Sequence, residues 1–232
     1  MKSPRDEYRF LKDVRNIKDE AYYELYEKYI IENRRGGDKL TQVGSTDQET
    51  LLLTRNGGFP IPGMVYTFIY GEPDQIFLKP GQNNQPEDLS KRFIDLIPLV
   101  FCMNIDTNRF KGINFNMLPS NVRLDFLDEY YHVFEDFMER EASLLSEHDK
   151  IAINRRFLEY VKSGRGQNMI KLFNRSMGAN FNYAYRSYLV NKVSRLRMIE
   201  YNEWVYIPFL EPKNAFRRLS HRQIHDLYHR TK

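Results

Sequence analysis

Only one cysteine, Cys102, and one tryptophan occur among 232 residues. A lone thiol closes no disulfide within the chain and builds no cysteine zinc cluster. Cys102 lies in the apolar stretch "LIPLVFCM", where it reads as a small buried hydrophobe. The chain is accordingly expected in a reducing cytoplasm, or in a particle assembled there. Long hydrophobic runs are missing too. No stretch approaches the roughly 18 apolar residues that cross a bilayer, and the charged opening "MKSPRDEYRF" lacks the apolar core of a secretion signal. No membrane partner is expected. Glycine-rich loops ending in lysine, which would cradle a phosphate, are absent, as is a nucleophile set between small residues at a tight turn. No Ser/His/Asp or Cys/His set assembles, so no catalytic residue and no cofactor are assigned, and the chain reads as non-enzymatic.

What the sequence has in abundance is phenylalanine and tyrosine, 16 of each. Most are expected in the core, with tyrosine hydroxyls at its wet edge or at interfaces. Charge is segregated. The formal net charge is +4, but residues 155–232 hold 16 Lys/Arg against 5 Asp/Glu, whereas the preceding residues hold 19 against 26. A basic C-terminal third favours a polyanionic partner.

Along the chain, residues 4–33 read as one amphipathic helix, with Phe10, Val14, Ile17, Ala21 and Leu25 at three- and four-residue steps. "RRGGDK" ends it, and residues 34–58 form a polar linker. The expected division is therefore 1–58, helical arm and linker, and 59–232, a core domain. "MVYTFIY" (64–70), "FIDLIPLVFCMNI" (93–105) and "FKGINFNML" (110–118) read as strands, with "DTNR" (106–109) turning between the last two. Pro98 suggests an edge or a bulge.

The stretch "KGINFNMLPSNVRLDFLDEYYHVFEDF" (111–137) changes from alternation to helical periodicity at Pro119, with Ser120 or Asn121 as the expected cap. Val122, Phe126, Tyr130, Phe134 and Phe137 line one helix face. The pairs Asp128/Glu129 and Glu135/Asp136 fall on the outer side as a solvated surface. This junction offers no reactive group and reads as a brace for the fold. Further on, a helix runs to "SGRG" (163–166), a short one covers 168–173 and a longer one 180–198, with mixed strand and turn at 200–212. Ser146 with Asp149 and Ser220 with Gln223 are capping-box patterns. The fold class is α+β: a small antiparallel sheet packed against several helices, with an N-terminal helical arm.

His221, His225 and His229 stand at i, i+4 and i+8. The first two have the spacing of a shared metal, but nothing obvious completes a site, so no metal is assigned and they extend a positive face. The candidate polyanion-binding residues are basic positions interleaved with tyrosine: Arg186, Lys192, Arg195, Arg197, Lys213, Arg217, Arg218 and Arg222. Such a set would neutralise phosphates without reading sequence. On the expected helix Arg186 and Arg197 project opposite Lys192 and Arg195, so one patch requires the C-terminal segment to fold beside them.

Four stretches, "PIPGMVYTFIY", "FIDLIPLVFCM", "FKGINFNMLPSNVRLDFLD" and "YRSYLVNKVSRLRMIEYNEWVYIPFLEPKNAFRRLSHRQI", resemble in order a family of tailed-phage proteins, the DNA end protectors of T-even-like and related myophages. The resemblance rests on Gly112, Asn114, Leu118-Pro119 and Arg123, then on Arg186, Tyr188, Leu189, Ser194, Arg195, Glu203, Trp204 and Leu210–Pro212. It covers about 60–128 and 183–225. Where the family has a histidine before Leu-Pro, this chain has Asn116 or Phe115. The resemblance implies a non-enzymatic virion protein, assembled in the host cytoplasm, that binds and shields the packaged DNA terminus without sequence preference. The alternative is a structural neck, tail or baseplate component whose residues 4–33 bind other virion proteins.

Overall fold

The computed structural model describes residues 3–26, 60–70, 97–144, 150–177 and 180–211. Its elements are α1 (Pro4–Leu11), α2 (Ile17–Tyr22), β1 (Val65–Tyr70), β2 (Leu99–Asp106), β3 (Arg109–Asn114), α3 (Ser120–Leu144), α4 (Lys150–Lys162), α5 (Gly164–Met177), β4 (Tyr185–Leu189) and β5 (Val193–Ile199). Four 3-10 segments join them, at Phe115–Met117, Asn182–Ala184, Val190–Lys192 and Tyr201–Phe209. The class is α+β, as expected, but the antiparallel sheet has five strands in the order β4-β3-β2-β1-β5.

That order forces the sheet to curl. β4 and β5 stand at its two ends, yet only Val190–Lys192 separates them in the chain. Bulges between Cys102 and Asn104 and between Thr67 and Ile69 supply local bending and extra twist. The result is a partly closed barrel in which rings from separated strands meet. Phe68 of β1 packs edge-on against Phe110 of β3 at 5.1 Å and Tyr188 of β4 at 5.0 Å, and Tyr70 reaches Tyr188 at 5.2 Å. The Leu189 amide donates to the Tyr70 hydroxyl at 3.4 Å. Gly112 is required where β2 and β3 meet most closely, because a Cβ there would lie 2.1 Å from the Phe101 carbonyl oxygen.

α3 covers the sheet with the aromatic face read from sequence. Phe101 of β2 is the hub, with Phe126 at 4.9 Å, Tyr130 at 4.8 Å, Phe173 of α5 at 5.9 Å and Trp204 at 6.4 Å, all near edge-to-face. Such geometry adds to area burial because ring edges and faces carry opposite partial charge.

The β3–α3 junction is a brace. Arg123, 1 % exposed, sends Nε to the carbonyls of Phe115 and Leu118 (2.7 and 2.8 Å) and Nη1 to those of Ile207 and Leu210 (3.2 and 2.5 Å). One guanidinium thereby ties the strand-to-helix turn to the 201–209 segment. The expected hydroxyl cap is not formed that way. The Ser120 hydroxyl instead donates to the Pro208 carbonyl, and the Arg123 amide is received by the Pro119 carbonyl at 3.0 Å.

Several local expectations are corrected. The first helix is two, broken at Asn16, which adopts a left-handed φ of 66°. Both pieces contact the core. Ile17, Ala21 and Leu25 are buried as read, but Phe10 and Val14 are exposed. Tyr8 stacks on Phe209 at 4.7 Å, and Arg5 reaches Asp125 at 3.0 Å and Asp128 at 3.2 Å. Asp128 is therefore buried beneath α1 and not on a solvated face. Residues 180–198 form β4, the 3-10 link and β5, not a helix. Tyr185 and Tyr188 mimic helical spacing, but β-branched and aromatic side chains suit a pleated surface, and pairing with β3 and β1 decides the conformation. Residues 201–209 are a 3-10 helix, with Glu200 and Glu203 as a capping box. The arm beyond 26, the linker, the division at 58, both Ser capping boxes and the three C-terminal histidines lie outside the described residues.

Candidate nucleic-acid interface

Of the eight basic positions singled out from sequence, the side chains of Arg186, Lys192 and Arg197 are described. Arg186 is in β4 opposite Gly112, half-buried, with Nη1 donating to the Tyr185 carbonyl at 2.7 Å. Lys192 is exposed in the link between β4 and β5. Arg195 belongs to β5, where only its backbone is described. Arg197 is withdrawn from the surface. Its Nη2 lies 2.9 and 2.8 Å from the two carboxylate oxygens of Glu203, and Nη1 donates to the Glu24 carbonyl at 3.1 Å. A cation committed to a buried carboxylate is poorly placed to meet a phosphate, which argues against the DNA-binding role expected of Arg197. Lys213, Arg217, Arg218 and Arg222 lie outside the described residues.

Exposed basic residues are concentrated on α4 and α5. Residues 150–177 carry seven Lys/Arg and one Asp/Glu. That one, Glu159, pairs with Arg155 at 3.1 Å on the same helix. A single residue, Ser163, separates the two helices. Its hydroxyl donates to the Tyr160 carbonyl at 2.6 Å and accepts the Gly166 amide at 3.1 Å, while its carbonyl accepts the Gln167 amide at 2.9 Å. Gly166 permits this closeness, since a Cβ there would lie 2.2 Å from the Tyr160 carbonyl oxygen. The helix therefore starts at Gly164 and runs through both glycines, earlier than the 168–173 read from sequence.

The inner face of α5 is fixed by Gly166, Ile170 and Phe173, the last ringed by Phe126 at 5.3 Å and Tyr130 at 5.0 Å. Asn174 donates to the Met103 carbonyl at 2.8 Å and ties the helix to β2. Its outer face presents Arg165, Asn168, Lys171, Leu172 and Arg175, all exposed, and the helix contains no acidic residue. By contrast, the outer face of α3 shows Asp125, Glu129, Asp136 and Glu139. The molecule carries a cationic and an anionic helix surface, and such a separation sets up a directed field.

No family model, curated protein or solved structure gives a significant match to this chain. Among the described residues, no three His, Cys, Asp or Glu side chains cluster so as to hold a metal ion, and no helix is long and apolar enough to cross a membrane.

Sequence reasoning missed α5 as a candidate surface. Arg165, Lys171 and Arg175 contribute to the basic C-terminal third, but the tyrosine-flanked bases further on stand out more. The signal was present in the spacing of Arg165, Asn168, Leu172 and Arg175, one helix face, combined with the lack of any acid over 160–177.

Proposed function

We propose that this chain is a non-enzymatic DNA-binding protein whose cationic α4–α5 surface, with Lys192, neutralises backbone phosphates. Following the resemblance to DNA end protectors, its target is the terminus of a packaged phage genome, bound without sequence preference. The observation that supports this reading is the acid-free outer face of α5, held rigidly by a buried inner face. Lysine and arginine on such a surface release the counterions condensed on DNA, which makes affinity steeply salt-dependent.

The test is a salt titration of the full chain on linear and closed-circular DNA. Log K is expected to fall linearly with log salt, with linear DNA preferred. Lys171→Glu with Arg175→Glu should lower the slope by roughly 2, at about 0.9 for each phosphate no longer neutralised. Salt-independent binding, or a double variant that binds as well as the parent, would overturn the proposal.

A second reading, a structural neck, tail or baseplate component, is favoured by exposed apolar groups near the N-terminus: Phe10 at 66 %, Val14 at 40 % and Tyr23 at 39 %. Apolar and aromatic groups on a surface suit protein contacts. This reading expects weak, end-blind DNA binding and failure of particle assembly when residues 1–33 are deleted.

A further inference from the structure

Resting on the DNA-binding reading, we infer that α5 docks lengthwise in the major groove of duplex DNA, with Asn168 and Leu172 toward the base edges. Arg165 and Arg175, at the two ends of the stripe, and Lys171 on its flank reach phosphates on either side.

Shape and chemistry both lead there. At 100° per residue, Asn168, Leu172 and Arg175 fall within about 60° of one another on the exposed face, and Arg165 and Arg175 lie about 15 Å apart along it at 1.5 Å per residue. A helix of about 10–12 Å diameter fits a groove about 12 Å wide. Leu172 is 61 % exposed amid cations. Leu172 can lie against thymine methyl groups where they occur, and the Asn168 amide can donate to or accept from the base edges it meets, so the contact demands no one sequence. The one-residue turn at Ser163 and the Asn174 tie to β2 fix the helix, as a recognition element needs if it is not to pay for ordering on contact.

A single strand is a poorer fit. Unpaired bases are held by exposed aromatic platforms, and the described residues of α4 and α5 offer none: Phe157 and Phe173 are buried, and Tyr160 stacks face-on against Phe137 at 4.1 Å.

The experiment uses the full chain with a fluorescent 30-base-pair linear duplex and the matching single strand, combined with dimethyl sulfate footprinting. Protection of guanine N7, which faces the major groove, is expected in the base pairs next to the duplex ends, with adenine N3 in the minor groove still reactive. Leu172→Asp, at an exposed site, should keep the parent's melting temperature and lower duplex affinity about tenfold or more. If the parent binds with the expected salt slope but N7 stays reactive and Leu172→Asp binds normally, the groove placement falls and the DNA-binding reading stands. Stronger binding to the single strand also overturns the placement. If the parent binds neither DNA, the DNA-binding reading itself has failed, and the groove placement with it.

Discussion

Arg197 and Glu203 form an ion pair inside the molecule, 13 % and 6 % exposed at their side chains, with Nη2 of the arginine set between both carboxylate oxygens. The same carboxylate accepts the Glu200 amide at 3.2 Å, and the arginine also reaches the Glu24 carbonyl. The pair thus joins β5, the 201–209 segment and the N-terminal region. Removing one partner leaves the other charge buried without its counterion, which typically costs about 3–5 kcal/mol. Glu203→Ala is expected to lose that much in urea denaturation. Arg197→Met with Glu203→Leu should recover most of it, because a packed apolar pair needs no desolvation. Arg197→Met that lowers DNA affinity at unchanged stability would contradict this assignment.

Arg123 makes a second internal tie, and a lysine cannot replace it. The planar guanidinium reaches four carbonyls from two chain segments, whereas an ammonium is a point donor at the end of a flexible stem. Each hydrogen bond from a charged donor is worth about 1.5–3 kcal/mol. Arg123→Lys is therefore expected to destabilise the protein by at least about 3 kcal/mol. Hydrogen exchange should accelerate in residues 201–210. Unchanged exchange there would show that the segment is held by its apolar side chains alone.

These two arginines explain what was legible and what was not. The aromatic periodicity of Phe126, Tyr130 and Phe134 marked α3, and the β-branched run "VYTFIY" marked β1, because burial of one face leaves a period in the sequence. The β4–β5 segment was misread because Tyr185 and Tyr188 satisfy a helical step while their conformation is set by pairing with residues more than seventy positions away. Nothing local encodes that pairing. The positions that carry the family resemblance hold the interior together: Gly112 admits the Phe101 carbonyl, Asn114 donates to Tyr188 at 3.0 Å, Glu203 holds Arg197, and Trp204 donates to the Ile199 carbonyl at 3.1 Å. Such residues specify a fold. The candidate interface lies elsewhere, on side chains of α5 that no packing requirement dictates, so charge pattern is the only signal they leave.

His132 on α3 provides a readout of the acidic surface. Its Nδ1 lies 3.0 Å from Glu135 Oε2 and its Nε2 3.8 Å from the Asp128 carboxylate, which also receives Arg5 of α1. The hydrogen bond to Glu135 is the largest influence and raises the imidazole pKa above its ordinary value. The charged form is favoured in the folded state. Its small stabilising contribution is therefore complete below the unfolded value near 6.5 and is lost as pH rises through the higher folded value. An NMR titration should place the His132 midpoint above about 6.5, and Glu135→Gln should bring it down. A midpoint unaffected by that substitution would assign the shift to Asp128 instead.

Cys102 supplies a probe of the whole fold. It is fully buried in β2, on the strand face opposite Phe101, and burial pushes its thiol far above the ordinary range. Because the thiolate is the reacting species, access and ionisation both require the strand to open. Labelling with a thiol reagent in native buffer should be slow and should accelerate with urea in parallel with global unfolding, since β2 pairs with both β1 and β3. With a single cysteine in the sequence, the signal has one source. Labelling that outpaces loss of the aromatic near-ultraviolet circular dichroism would mean that β2 opens separately from the ring cluster around Phe101. Coincidence of the two would mark the sheet and α3 as one cooperative unit, the condition under which two-state stability differences for Glu203→Ala and Arg123→Lys are well defined.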